Sequence, residues 1–499
     1  MNGEQGAPDS YLSSRWLFLR LLGVVYLVAF ASLAFQIVGL VGEHGLFPVG
    51  EFLSQARTTY GPGVWRALPT ALWLNSSDTA LRLLALGGAG LAALLVLDVC
   101  PIVVLPLLWL AYLSLSVAGQ DFLSFQWDAL LLETGLLACL WAPAGWLPTL
   151  RLSEREPSVV VRWLLWLLLF KLMLLSGATK LLSGDPTWRS LSALDFHFET
   201  QPLPPWTAWY AHHLPPGVHR LMTLGMFGAE LVLPFSIFAP PRFRIVRIGG
   251  AFGIIAFQLS IAATGNYGFF NLLAIVLCVP LLDDRFLRRR FPVQREPGRP
   301  ESPFRRVLVG TASAVLLVLT ALSCLREAAY TLSARGGRDL MPRWGEELLD
   351  AFGPFRSVNG YGLFRVMTTE RPEIVVEGSR DGVEWKPYEF RWKPGDPMRR
   401  PGFVEPFHPR LDWQMWFAAL DPQGNRGLLE SLIEHLLDGS PEVLALLERN
   451  PFPGAPPKYV RLKYFRYFFS SQEERASSGA WWIREPRGNL TEPVSLPQR

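Results

Sequence analysis

The feature that most constrains this chain is a succession of apolar stretches about as long as a bilayer is thick. A helix needs about 20 apolar residues to cross hydrocarbon, and only helices or closed barrels satisfy their backbone hydrogen bonds inside lipid. Stretches 16–40, 80–97, 101–118, 162–182, 218–239, 245–263 and 307–325 meet that length. Two shorter Leu-rich stretches, 128–142 and 268–282, span only with tilt or local thinning. The expected fold is therefore a polytopic α-helical membrane domain of about nine transmembrane helices over residues 1–326. Its first stretch is too long for a cleaved signal peptide and lacks a small-residue cleavage site before its polar flank.

Charge gives an independent reading of orientation. The net charge of +4 is spread over 499 residues and forms no basic stripe on a soluble face, which argues against nucleic-acid binding. Sorted by loop, the basic residues are far from even. With the N-terminus cytoplasmic, the inner loops hold Arg151, Arg155, Arg162, Arg242, Arg244, Arg247, Arg285, Arg288, Arg289, Arg290, Arg295, Arg299, Arg305 and Arg306, against Arg57, Arg66 and Arg189 in the outer ones. Cytoplasmic loops carry such an excess, so nine crossings place the C-terminal part outside the cytoplasm. The outer loops 41–79 and 183–217, rich in Pro, Gly, Trp and His, read as ordered caps. The arginine-rich inner segment 283–306 reads as a solvated linker able to meet anionic lipid headgroups.

From about residue 342 the pattern changes to alternation and turns. Residues 373–377 read as a strand, Ser379-Arg380-Asp381-Gly382 as a tight turn and 385–392 as the returning strand. Residues 459–469 alternate, and amphipathic helices are expected near 411–420, 428–437 and 442–449. Residues 342–499 are thus expected to form an extracytoplasmic α+β domain with a β-sandwich core; the Ser379-x-Asp381-Gly382-x-x-Trp385 run resembles the turn of discoidin-type sandwiches. All four cysteines, Cys100, Cys139, Cys278 and Cys324, lie in or beside apolar stretches, so the tail must be held by its core and cannot itself exchange dithiols. No phosphate-binding Gly loop, dinucleotide pattern or Gly-x-Ser-x-Gly elbow occurs, and no cofactor is expected. Asn75-Ser76-Ser77 and Asn489-Leu490-Thr491 are acceptor sequons meaningful only in a eukaryotic secretory pathway.

Seven stretches together resemble the lipase maturation factor family: 30–48 (FASLAFQIVGLVGEHGLFP), 125–135 (FQWDALLLETG), 175–191 (LSGATKLLSGDPTWRSL), 197–215 (HFETQPLPPWTAWYAHHLP), 265–273 (GNYGFFNLL), 358–371 (VNGYGLFRVMTTER) and 409–420 (PRLDWQMWFAAL). The resemblance implies a polytopic protein of the endoplasmic reticulum membrane that helps client lipases fold, assemble and leave; in a bacterium the corresponding site is the inner membrane. Binding of clients through the tail then implicates Tyr361, Trp385, Trp413 and Trp416. A shorter stretch, Ser176 to Leu181 followed by Trp188, is similar to the Gly-x-x-Lys-Leu…Trp segment of vitamin K-dependent γ-carboxylases. That similarity implies Lys180 as a base acting on a lipid-soluble quinol.

Charged residues at bilayer depth cost at least about 2.5 kcal/mol each and call for partners or a function. Lys171 and Glu230, on consecutive long stretches, are expected to pair. Asp128 and Glu133 are five apart and so lie on different helix faces, Asp128 at a helix start where its charge suits the dipole and Glu133 toward the bundle. Lys171 and Lys180, nine apart, fall on opposite faces and should not serve one site. Lys180 either snorkels to the interface or, desolvated, acts as a base. His197, Glu199, His212 and His213 match no zinc spacing, so helix capping is expected of them and no metal. Asn266, Tyr267, Asn271, Gln36 and Gln258 are candidates for hydrogen bonds between helices. Two functions stay open at this point: a maturation factor whose partners are client proteins and membrane lipids, and a membrane enzyme using Lys180 with His197 or His212. A transporter finds no support in inverted repeats or paired broken spans.

Overall fold

The computed structural model describes residues 10–143, 151–153, 156–287, 294–296, 302–333 and 341–496. Arg155, Arg288, Arg289, Arg290 and Arg299 of the basic loops, and part of the inner linker, lie outside the described residues.

Seven helices among the described residues are long and apolar enough to cross a membrane. They begin with α1 (Leu12–Ala34), α2 (Asp78–Val96) and α3 (Pro101–Ala118). After the shorter α4 (Gln126–Trp141) comes α5 (Val159–Leu182). The sixth span, Pro216–Phe238, opens as α6 (Pro216–Phe227) and continues as a π-helical turn, Gly228–Val232, and a 3-10 stretch. Then follow α7 (Arg244–Thr264), the short α8 (Phe270–Cys278) and α9 (Pro303–Ser333).

Helix α1 is apolar on all sides, the signature of a helix enclosed by others. Helix α2 closes against it at Gly88, where a Cβ would lie 2.3 Å from the Phe30 ring, so only glycine permits the approach. Polar anchors define the bundle's two ends. At one end Asp284 caps α1, accepting from the Leu12 and Ser13 amides at 3.2 and 2.9 Å. Arg247 of α7 pairs there with Asp283 at 3.6 Å, Trp166 of α5 donates to the Pro280 carbonyl, and Arg305 of α9 to that of Ala142. The opposite end meets the C-terminal region. Gln36, just past α1, donates to the His408 carbonyl at 2.9 Å, and Lys171, within α5, to that of Asn359 at 3.0 Å. Helices α4 and α8 run between the same two ends: Asp128 and Asn271 bond to tail residues while Trp141 and Pro280 lie at the far end.

The tail is built on one antiparallel sheet. Its strands are β1 (Arg371–Ser379), β2 (Lys386–Pro387), β5 (Tyr459–Phe469) and β6 (Trp482–Asn489), in the order β2-β1-β5-β6. The hairpin forms through the Asp-Gly turn: Gly382 has φ +76°, and Asp381 accepts from the Val383 and Glu384 amides at 2.8 and 2.9 Å. Those bonds hold the Asp381 carboxyl below its ordinary pKa. The returning strand is shorter than expected. After two residues on β1 the chain leaves to form β3 (Glu389–Phe390), which pairs with β4 (Leu447–Arg449) in a separate two-stranded ladder.

Residues 442–449, expected to be helical, give only one turn before becoming β4. Helices α10 (Arg410–Leu420) and α11 (Arg426–Asp438) lie against β1 and β5, so helices occupy the position where a sandwich would place a second sheet of matching size. The four cysteines are free.

Candidate functional site

Besides the Arg247–Asp283 pair, four sets of buried charges among the described residues tie the structure together, and three of them join the bundle and its loops to the tail. Asp128, in the first turn of α4, takes a bidentate pair from Arg410 of α10, at 2.6 and 2.7 Å, and a hydrogen bond from the Tyr112 hydroxyl of α3 at 2.5 Å. Asp128 and Arg410 are each 1% exposed. Lys171 of α5 pairs with Glu133 of α4, whose second oxygen accepts from the Tyr361 hydroxyl at 2.8 Å and the Asn359 amide at 3.3 Å. In the tail, Glu373 lies 2.8 Å from both Arg371 and Lys393. Arg371 then donates to the carbonyls of Glu199, Gln201 and Pro202 in the loop 183–217. A charge is tolerated at such depth only when it is compensated, and each of these groups is paired with an opposite charge.

The fourth pair corrects the expected one. Lys171 does not meet Glu230; Lys180 does, at 2.7 and 2.9 Å, and its third donor goes to the Ser176 carbonyl at 3.3 Å. The reason is local backbone geometry. The π turn at Gly228–Val232 rotates Glu230 toward α5, and Gly177 lets it close in: a Cβ there would be 2.9 Å from that of Glu230. Lys180 is 3% exposed, so it does not snorkel to an interface. Lys171 and Lys180 serve separate networks.

Beside the Lys180–Glu230 pair lies the largest cavity described, about 1060 Å³, bounded by α5, α6 and its π turn, α7, α8 and tail residues 362–368 and 413–417. His197 lines it and His212 does not. The His197 ring bonds the Tyr267 hydroxyl at 3.2 Å, and burial together with Lys180 lowers its pKa to about 4. Burial, with His213 and His219 nearby, also lowers His212 to about 4; it lies 3.6 Å from Glu199, whose carboxylate accepts from the Phe469 amide. His213 bonds the Trp209 carbonyl at the end of the helix Trp206–His212. Among the described residues no group of His, Cys, Asp and Glu is arranged to hold a metal.

The remaining polar residues also join elements. Asn266 donates to Leu203 and Gly402 and accepts from the Val404 amide. Asn271 donates to Glu405, a carboxyl that burial pushes up to about 8.

The aromatic residues expected to contact clients sit elsewhere than expected. Tyr361, Trp413 and Trp416 are buried at the seam between tail and bundle, Trp413 against Trp127 and His408, and Trp416 donating to the Thr200 carbonyl. Only Trp385 reaches solvent, under the Arg461 guanidinium. Their apolar size reflects seam packing, which a sequence does not separate from a docking surface. Reading the sequence alone also missed Arg410, Arg371, Asn359 and Glu405, tail residues with partners more than a hundred positions away. The one available sign was the unpartnered Asp128 and Glu133.

Comparison with known proteins extends over the same architecture. A family model described as the lipase maturation factor transmembrane domain matches residues 13–289, and one described as the lipase maturation factor C-terminal domain matches 357–492. Lipase maturation factor 1 of Bos taurus is 37% identical, over 97% of this chain and 89% of its own length. The human protein of that name is 35% identical, over 99% and 91%; human lipase maturation factor 2 is 36% identical, over 97% and 82%. No solved structure matches the chain. With seven helices suited to a membrane, both family domains in sequence and relatives aligned along nearly its whole length, this integral membrane protein belongs to the lipase maturation factor family.

Proposed function

We propose that the protein is a membrane-embedded maturation factor that assists the folding, assembly or export of client lipases. The observation that carries this reading is the family match, which includes both domains and relatives aligned along nearly the whole chain. The engagement of all three Lys180 donors speaks against proton abstraction by that residue, so the enzyme reading is not favoured.

In this reading the N-terminus is cytoplasmic and the chain crosses nine times, α4 and α8 included, which puts the tail and the loops 41–79 and 183–217 on the outer side. In a eukaryote that side is the lumen of the endoplasmic reticulum. Both loops rest on the tail, through the Leu46 carbonyl with Ser431 and through Arg371, and this arrangement supports a single exported face for clients. Trp385, half-buried, is the one of the four expected aromatics that is available to such a client.

Photocrosslinking in native membranes, with the crosslinker at position 383 or 385, tests the reading. Capture of newly made, incompletely folded lipase is the expected result. Capture of mature lipase in equal amount, or of no exported hydrolase, would count against it.

A further inference from the structure

The 1060 Å³ cavity is unlike a gap between poorly matched helices, because unpartnered polar groups line it. Two of these are donors, the indole N–H groups of Trp127 and Trp413; the donors of Lys180, Gln201 and Tyr267 are spent. Lys180 gives all three N–H groups to Glu230 and Ser176. The Gln201 amide donates to the carbonyls of Phe198 and Thr264, so its oxygen is the group that accepts from the Tyr267 hydroxyl at 3.1 Å. With the Tyr267 proton used there, the His197 contact to the same hydroxyl oxygen must be a donation from Nε2–H, which leaves Nδ1 as an acceptor. Gln258 and Asn271 direct their amide nitrogens to Met173 and Glu405.

What remains besides those two indoles is acceptors without donors. Gln258 Oε1 and Asn271 Oδ1, on residues 3% and 2% exposed, have no partner among the described residues. Glu230 has lone pairs beyond those that face Lys180, and His197 adds Nδ1. Buried acceptors left unmade cost about 1–3 kcal/mol each, so this arrangement is a standing demand for hydroxyl protons.

Charge and access narrow the occupant further. Lys180 and Glu230 compensate each other, and His197 is neutral at pH 7, so nothing in the cavity offers a net charge to a phosphate or a carboxylate. The walls are otherwise mainly apolar. Val232 and Ser260, exposed on two adjacent spans, and Val366 of the tail stand at the rim, so the cavity opens where these spans meet the tail.

We propose that this cavity binds one uncharged lipid that carries a free hydroxyl, its chain or chains entering between α6 and α7 and its hydroxyl reaching the acceptors of Glu230, His197, Gln258 and Asn271. The site is independent of the identity of any client. Two sources share the chemistry, acylglycerols with an unesterified hydroxyl and isoprenoid alcohols. A volume near the upper end for small-molecule sites, about 300–1000 Å³, suits either.

The test uses the full chain in phosphatidylcholine nanodiscs doped in turn with 1,2-dioleoylglycerol, a polyprenol or trioleoylglycerol. The protein is repurified and its retained lipid counted by native mass spectrometry. About one hydroxyl lipid per chain is expected, retained about tenfold over trioleoylglycerol, in which a third oleoyl ester replaces the hydroxyl donor. The first two arms tell the sources apart. Gln258→Leu and His197→Phe should each reduce retention about fivefold while circular dichroism stays unchanged. Ala229→Trp, which fills the wall beside Glu230, should abolish it. Equal retention of trioleoylglycerol, occupancy by phosphatidylcholine alone, or unchanged retention in both Gln258→Leu and His197→Phe would overturn the proposal, and the wild-type comparison needs no variant to fold.

Discussion

At the scale of single residues, stability rests on a few buried charges that bridge distant parts of the chain. Removing one partner of such a pair strands the other in a dry interior, which typically costs about 3–5 kcal/mol. Arg410→Met should therefore destabilise the full chain by about that amount, measured as loss of folded protein in a detergent thermal melt. Replacing Asp128 as well, by Asn, should recover part of the loss, because the stranded carboxylate is gone.

Two residues report through pH. Burial holds His212 near pKa 4 in the folded chain against 6.5 when free, so the unfolded state binds more protons between those values. Stability from this group is present above pH 6.5 and lost as pH falls toward 4. His212→Asn should lower Tm less than wild type on going from pH 7.5 to 5.0, by about 2 °C. Glu405 has the opposite sign. Its raised pKa, about 8, means the folded state holds the extra proton, so stability declines as pH rises from about 4.5 to 8. Glu405→Gln should melt higher than wild type at pH 8.5 and match it at pH 4; a lower melt at pH 8.5 would show that the ionised carboxylate is needed.

At the scale of elements, legibility followed length and period. The long apolar helices and strand β5 were readable because each satisfies its backbone locally and repeats one pattern over many residues. The π turn was not, since Gly228–Val232 has the composition of an ordinary helix and only its approach to Gly177 reveals it. That single turn explains why Glu230 was assigned to the wrong lysine. Strands β3 and β4 failed for a related reason: two- and three-residue strands carry no period, and residues 442–449 have a helical one. Gly177→Leu should push the π turn from α5 and part Lys180 from Glu230. The expected readout is reduced yield of folded protein, with Gly87→Leu, which faces open space, as the tolerated control.

At the scale of the whole molecule, bundle and tail share buried charges, aromatic packing and a cavity wall. The candidate site was half visible in the sequence, as Lys180, His197, Glu230, Gln258 and Asn271, and half hidden, because its ceiling comes from residues more than a hundred positions on. The topology has its own check. In sealed vesicles with the cytoplasmic side outward, added protease should leave the fragment from about residue 341 onward intact, and its digestion would reverse the orientation.

The most direct test of the central claim is to coexpress a secreted lipase from the same source with this protein and measure active enzyme exported per lipase synthesised. The account predicts a several-fold rise with the wild-type chain and none with Arg410→Met, at equal lipase synthesis. An unchanged active fraction, with the wild-type protein folded and inserted in the membrane, would contradict it.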